Sequence, residues 1–180
     1  MDINQIVNMT ARAWCLPILD AMASGVPARQ APLLKATGAG RTSFVQSLDH
    51  LIQIGLVERN PGYGHPLRPE FRLTDKGQTA AALSKKIGLI KTGESKALLR
   101  RSWTIPILAK LQRPMHFGGI KKDLGAITDR ALSQSLKSME THKWVQRDLS
   151  IDLRPPRPLY RPIGTGKAIT DVIASVDANM

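Results

Sequence analysis

The sequence predicts a mainly α protein with small β-hairpins, an α+β chain in which one unit is used twice. Three observations predict it: an early block that returns halfway along the chain, apolar residues at helical spacing in both places, and extended Pro- and Arg-containing segments after each. "RAWCLPILDAM", Arg12 to Met22, is echoed by "RSWTIPILAKL", Arg101 to Leu111. An offset of 89 pairs Arg12, Trp14, Pro17, Ile18 and Leu19 with Arg101, Trp103, Pro106, Ile107 and Leu108. At 88, Gln46, Ser47 and Leu48 fall on Gln134, Ser135 and Leu136, and Val57 and Arg59 on Val145 and Arg147. At 89 again, Arg68, Pro69, Phe71, Arg72 and Gly77 fall on Arg157, Pro158, Tyr160, Arg161 and Gly166. Blocks in one order with single-residue gaps read as a tandem duplication, with copies at 1–90 and 91–180.

The elements of the second copy follow in order. "SWTIPILAKL" carries Trp103, Ile107, Leu108 and Leu111 at the spacing of a buried helical face, with Pro106 in the first turns where a missing N–H costs least. "GGIKKDLGAI" reads as a short helix packing Ile120 and Leu124 and capped by Gly125. "TDRALSQSLKSMETHKWV" reads as a third helix, N-capped by Thr128, with Leu132, Leu136 and Met139 inward and Asp129, Arg130, Gln134 and Lys137 outward. "WVQRDLSIDLRPPRPLYRPI" reads as a β-hairpin with an irregular basic tip. Helix, short helix, exposed polar helix, basic hairpin is the order of a winged helix-turn-helix, so the fold expected is two such domains in tandem.

These residues also resemble a family. "W-x-x-x-I-L" in the first helix, "LSQSLKSM" in the third, "WVQR" opening the hairpin and "RPLYRPIGTG" closing it are similar to the HxlR-type, MarR-related transcriptional regulators. The first copy keeps the family's closing pattern as "FRLTDKG", Phe71 to Gly77. The second departs at Pro162, Ile163 and Gly164, so its last strand or following helix is expected to start differently. The resemblance implies homodimers in which each subunit offers one recognition helix to a half-site, with dimer contacts from helices outside the winged core. Two copies on one chain would then make a pseudo-dimer, with a further homodimer open. "DKGQTAAALSKKIGLIKTGESKALLR" is long enough to supply a helix, a break near Gly88 or Gly93, and a second helix.

Charge points the same way. The 180 residues hold 26 Lys and Arg against 14 Asp and Glu, a net +12, which suits a polyanionic partner. Through Ile90 ten basic side chains face six acidic ones, and from Lys91 sixteen face eight, so the second copy carries +8 against +4. No apolar run reaches the ~20 residues that span a bilayer, and the N-terminus lacks signal-peptide order, so no membrane partner and a cytoplasmic setting are expected. The one cysteine excludes an internal disulfide. Redox-sensing members of the resembled family usually place their cysteine before the first helix. Cys15 lies inside it, which favours a buried thiol.

The expected partner is therefore double-stranded DNA. The major groove admits one helix, whose first outward side chains reach base edges. The candidates are Arg41, Thr42, Ser43, Gln46 and, more marginally, Ser47 in the first copy. In the second they are Asp129, Arg130, Ala131, Gln134, Ser135 and Lys137. Arg41 and Arg130 suit guanine, and Gln46 and Gln134 suit adenine. An outward Arg or Gln is also what any solvated helix presents; two matched copies favour the groove. Arg68, Arg154 and Arg157 sit at the hairpin tips, where an Arg can read a narrow minor groove or simply keep a Pro-stiffened loop in water. Tyr63 and His65 fit loop packing as well as backbone contact.

No enzyme, cofactor or metal is expected. His50, His65, His116 and His142 form no zinc spacing. "RPIGTGKA" fails as a phosphate loop, with Arg161 where the first Gly is needed and Ala168 in place of Ser or Thr. The function expected is a sequence-specific transcriptional regulator. The alternative is a replication initiator, or a chromosome or polymerase adaptor, in which one winged helix binds RNA polymerase or another protein.

Overall fold

The computed structural model describes residues 1–60, 69–90, 92–150 and 156–177. The chain divides into two compact units, Asn8–Leu89 and Ile90–Met180 together with Met1–Val7. An N-terminal helix, α1 (Ile3–Thr10), which the sequence reading did not anticipate, precedes the repeated elements and buries Ile6 and Met9.

In the unit Asn8–Leu89 the core is α2 (Cys15–Ala23), which buries Cys15, Leu16, Ile18, Leu19 and Ala21. It packs against α3 (Gln30–Thr37), α4 (Arg41–Gln53) and α5 (Asp75–Gly88). Gly38, at φ 66°, ends α3 in the left-handed conformation that a side chain resists. A hairpin of β1 (Val57–Arg59) and β2 (Phe71–Leu73) separates α4 from α5. Thr74 caps α5 by accepting a hydrogen bond from the Gly77 amide at 3.0 Å.

The second unit follows the same order. After Gly93–Arg100, where the second helix expected of this segment forms as a 3-10 helix, comes α6 (Thr104–Lys110). This helix is buried on nearly all sides, from Thr104 to Ala109, and Pro106 lies in its first turn as expected. Trp103 precedes it at the N-cap and is half-buried rather than core. Then come β3 (Met115–His116), α7 (Phe117–Leu124), α8 (Asp129–Thr141), β4 (Val145–Ser150), β5 (Arg157–Pro162) and α9 (Gly164–Asp177). The two-residue β3 joins the hairpin in the strand order β3-β5-β4.

The units agree in detail. Val57 faces Leu73 and Arg59 faces Phe71; at the matched positions Val145 faces Pro162 and Arg147 faces Tyr160. Helix α4 ends in a Schellman motif, with the Leu56 amide donating to the Leu51 carbonyl at 3.0 Å and Gly55 at φ 71°. Helix α8 ends the same way: the Trp144 amide donates to the Met139 carbonyl at 2.9 Å, with Lys143 forced to φ 57°. The Thr74 amide donates to the Leu56 carbonyl at 3.1 Å, and the Ile163 amide to the Trp144 carbonyl at 2.9 Å. That last bond explains why α9 begins at Gly164, the counterpart of Asp75, despite the altered sequence before it. The chain enters the helix from the same anchored point.

Candidate nucleic-acid interface

Helices α4 and α8 are each 13 residues long, and each is amphipathic. In α4, Phe44, Leu48 and Leu51 are buried, which turns Arg41, Thr42, Ser43 and Gln46 into solvent. Ser47 is a correction: it is 2% exposed, because three residues after Phe44 the helix has come back to the core side. Its hydroxyl donates to the Ser43 carbonyl at 2.8 Å, so it is internally satisfied and turned away from any groove. In α8, Leu132, Leu136 and Met139 are buried, and Asp129, Arg130, Gln134 and Lys137 are exposed, with Ala131 and Ser135 half-buried.

The two helices start differently. Thr128 accepts from the Ala131 amide at 3.2 Å, whereas Gly40 offers α4 no side-chain cap. Asp129 forms an ion pair with Lys121 of α7, so it tethers the first helix of the pair to the second. An acid in the first turn also suits the positive end of the helix dipole.

The hairpins carry the remaining cations. Arg157 is exposed at the start of β5, opposite Ser150. Arg68 and Arg154, with Tyr63 and His65, lie outside the described residues. Arg161 is neutralised: its Nε donates to Asp148 at 2.8 Å and its Nη2 to Gln146 at 2.9 Å. Hydrogen bonds from Arg161 and then Gln146 hold the Asp148 carboxyl below its usual range. Arg72 likewise meets Glu58 at 2.6 Å.

Three exposed groups escaped the sequence reading of the site. Ser133 continues the outward stripe of α8 one turn after Arg130, and Arg59 and Arg147 stand outward on matched strands. The two arginines were visible in the repeat alignment, which already paired them. Cys15 is fully buried, and burial pushes its thiol up to about 12. Its Sγ donates to the Ser47 carbonyl at 3.7 Å. Among the described residues no group of three His, Cys, Asp or Glu side chains is placed to hold a metal, and no helix is long and apolar enough to cross a membrane.

Two helices joined by a short turn, with the second exposed and followed by a hairpin, define a winged helix-turn-helix unit. Residues 98–179 match the HxlR-like helix-turn-helix family, so the second half of the chain contains an HxlR-like domain. No curated protein matches the chain. Among solved structures, the reduced form of the transcriptional regulator YodB from B. subtilis is 21% identical, covering 59% of this chain and 90% of that one at a TM-score of 0.39. A MarR-family putative transcriptional regulator from Enterococcus faecalis V583 is 25% identical, covering 58% of this chain and 84% of that one at a TM-score of 0.37.

Proposed function

We propose that this chain is a transcriptional regulator that binds double-stranded DNA through two winged helix-turn-helix units made by tandem duplication. The observation that carries the reading is the pair of matched helices α4 and α8. Both have 13 residues, both expose Arg and Gln on their outer face, and both lead through the same terminal turn into a hairpin of the same register. The HxlR-like match over 98–179 supports the assignment for the second unit, and the matched hairpin register is what supports reading the first unit in the same way.

In this reading Arg41, Thr42, Ser43 and Gln46 face one major groove, and Arg130, Gln134 and Lys137 face another. Asp129 orders the start of α8 through Lys121 and disfavours a phosphate beside it. Arg68, Arg154 and Arg157 lie along the DNA as wings, and the +12 charge supplies non-specific attraction. The two units act as a built-in pseudo-dimer on the units' two half-sites.

Selection from a random duplex library, followed by genome-wide mapping of bound sites, tests this. A recurrent motif with two half-sites, found upstream of genes, is the expected result. Binding confined to one replication origin would favour the initiator reading, and absence of duplex binding at low salt would end the proposal.

A further inference from the structure

The ion pair between Lys121 of α7 and Asp129 of α8 has no counterpart in the first unit. The amide of Gly125, which ends α7, donates to the Lys121 carbonyl at 3.0 Å, and the amide of Gly38, which ends α3, donates to the Leu34 carbonyl at 3.2 Å. Leu34 therefore holds the place of Lys121, as Arg41 holds that of Asp129. The first turn of α4 carries no acid at all. Both members of the pair are exposed, Asp129 with 67% of its side chain in solvent at the first position of α8. Ion pairs so exposed add little stability, so tethering the two helices is a small part of what this one can do. Lys121 meets Oδ1 of Asp129, and Oδ2 meets no donor among the described residues.

A carboxylate only accepts hydrogen bonds and an ammonium only donates them. Side by side they match a base-pair edge that offers one donor next to acceptors. In the major groove a C·G pair shows the cytosine N4 amino group beside guanine O6 and N7, with the donor at the outer end of that row. An A·T pair sets its donor, adenine N6, between two acceptors, N7 and thymine O4, which would repel the second oxygen of a carboxylate. The pair of side chains is thus complementary to C·G.

We infer that Lys121 and Asp129 together read one C·G pair in the half-site of the second unit. The Asp129 carboxylate accepts from cytosine N4, and the Lys121 ammonium donates to guanine O6 or N7. The inference rests on the DNA-binding reading of α8. It makes Lys121, which lies outside the recognition helix, a specificity-determining residue. The first unit, with Leu34 and Arg41 at the matched places, has no acceptor there for a cytosine amino group.

The test is to replace each base pair of the selected duplex in turn and to measure binding of the full chain and of its Lys121→Ala, Asp129→Ala and Asp129→Asn variants. In the wild type one C·G pair should be preferred on the order of tenfold over the other three choices. Lys121→Ala and Asp129→Ala should each erase that preference at the same pair and leave the other positions as they were. Asp129→Asn keeps the shape of the side chain and adds the donor that adenine N7 requires, so the preference at that pair should move to A·T. A pair that only tethers the helices would instead lower binding to every duplex alike with base preferences intact, and that result would overturn the inference. Relaxation of two different base pairs by the two alanine variants, or a wild-type preference for A·T at the shared pair, would overturn it too. A chain that selects no duplex at all overturns the DNA-binding reading and this inference with it, whereas the other failures leave that reading standing.

Discussion

Single residues fix how each hairpin meets the helix that follows it. A Cβ on Gly77 would lie 1.8 Å from the Leu56 carbonyl oxygen, and one on Gly166 would lie 2.0 Å from that of Trp144. Because these oxygens belong to backbone, neither contact can be relieved by a rotamer change. Gly77→Ala and Gly166→Ala should each destabilise their own unit by about 1–3 kcal/mol in urea unfolding, while Gly118→Ala should cost nothing. Lys143 presents the opposite case, since it occupies the left-handed position that Gly55 fills in the other unit. Lys143→Gly should therefore raise the stability of the second unit by about 0.5–1 kcal/mol. Cys15 makes a prediction about pH, because burial raises its thiol from 9.0 to about 12. A folded-state value above the unfolded one keeps the proton on the native thiol, so its contribution is complete below pH 9 and is lost as pH rises toward 12. Unfolding free energy should fall more steeply between pH 9 and 10.5 in the wild type than in Cys15→Ala. Parallel curves would show that the thiol contributes nothing.

In the proposed function, individual elements divide the labour between reading bases and gripping the backbone. If α4 and α8 read bases, Arg41→Ala or Arg130→Ala should cost about 1–3 kcal/mol on the selected site and much less on random duplex. Equal losses on both DNAs would reduce these arginines to phosphate contacts. Arg157→Ala should instead weaken binding to every sequence and flatten the slope of log K against log salt by about 0.9. The two long helices were legible because their apolar residues repeat at helical spacing and their ends carry chemical signals. Thr128 and Gly125 cap α8 and α7 as their side chains, or lack of one, suggest. The hairpin of β4 and β5 was legible for a similar reason, through extended segments around a Pro-rich turn. Most of what was missed has little local signal. Two residues of β3 cannot display an alternation, and they are a strand only because β5 passes beside them. Helix α1 is the exception, since Asp2 and Gln5 each accept from the other's backbone amide in a capping box that "DINQ" displays and that went unread, whereas the segment Gly93–Arg100 gives no sign that its helix winds as 3-10. Ser47 misled because a serine on a polar helix suggests solvent, yet helical phase puts it beside Phe44 and Leu48. The Asp129–Lys121 tether joins side chains on two helices, so neither sequence stretch reveals it alone.

The whole molecule carries its charge unevenly, with +8 from Lys91 onward and +4 before it, so phosphate neutralisation should be concentrated in the second unit. Two identical subunits would impose a two-fold site, whereas two diverged units on one chain need only approximate two-fold geometry. Their outer faces differ: Arg41 stands against Asp129, Thr42 against Arg130, Ser43 against Ala131 and Asp49 against Lys137. The half-sites should accordingly be related but unlike, separated by about one helical turn of DNA. Pairing of two chains would lengthen the footprint without changing the two grooves that the proposal assigns to each. The most direct measurement is hydroxyl-radical footprinting on the selected site, with the number of bound chains counted in the same sample by native mass spectrometry. One chain should protect two adjacent major grooves with non-palindromic half-sites. A strictly palindromic site, bound only by two chains with each protecting one half, would contradict it.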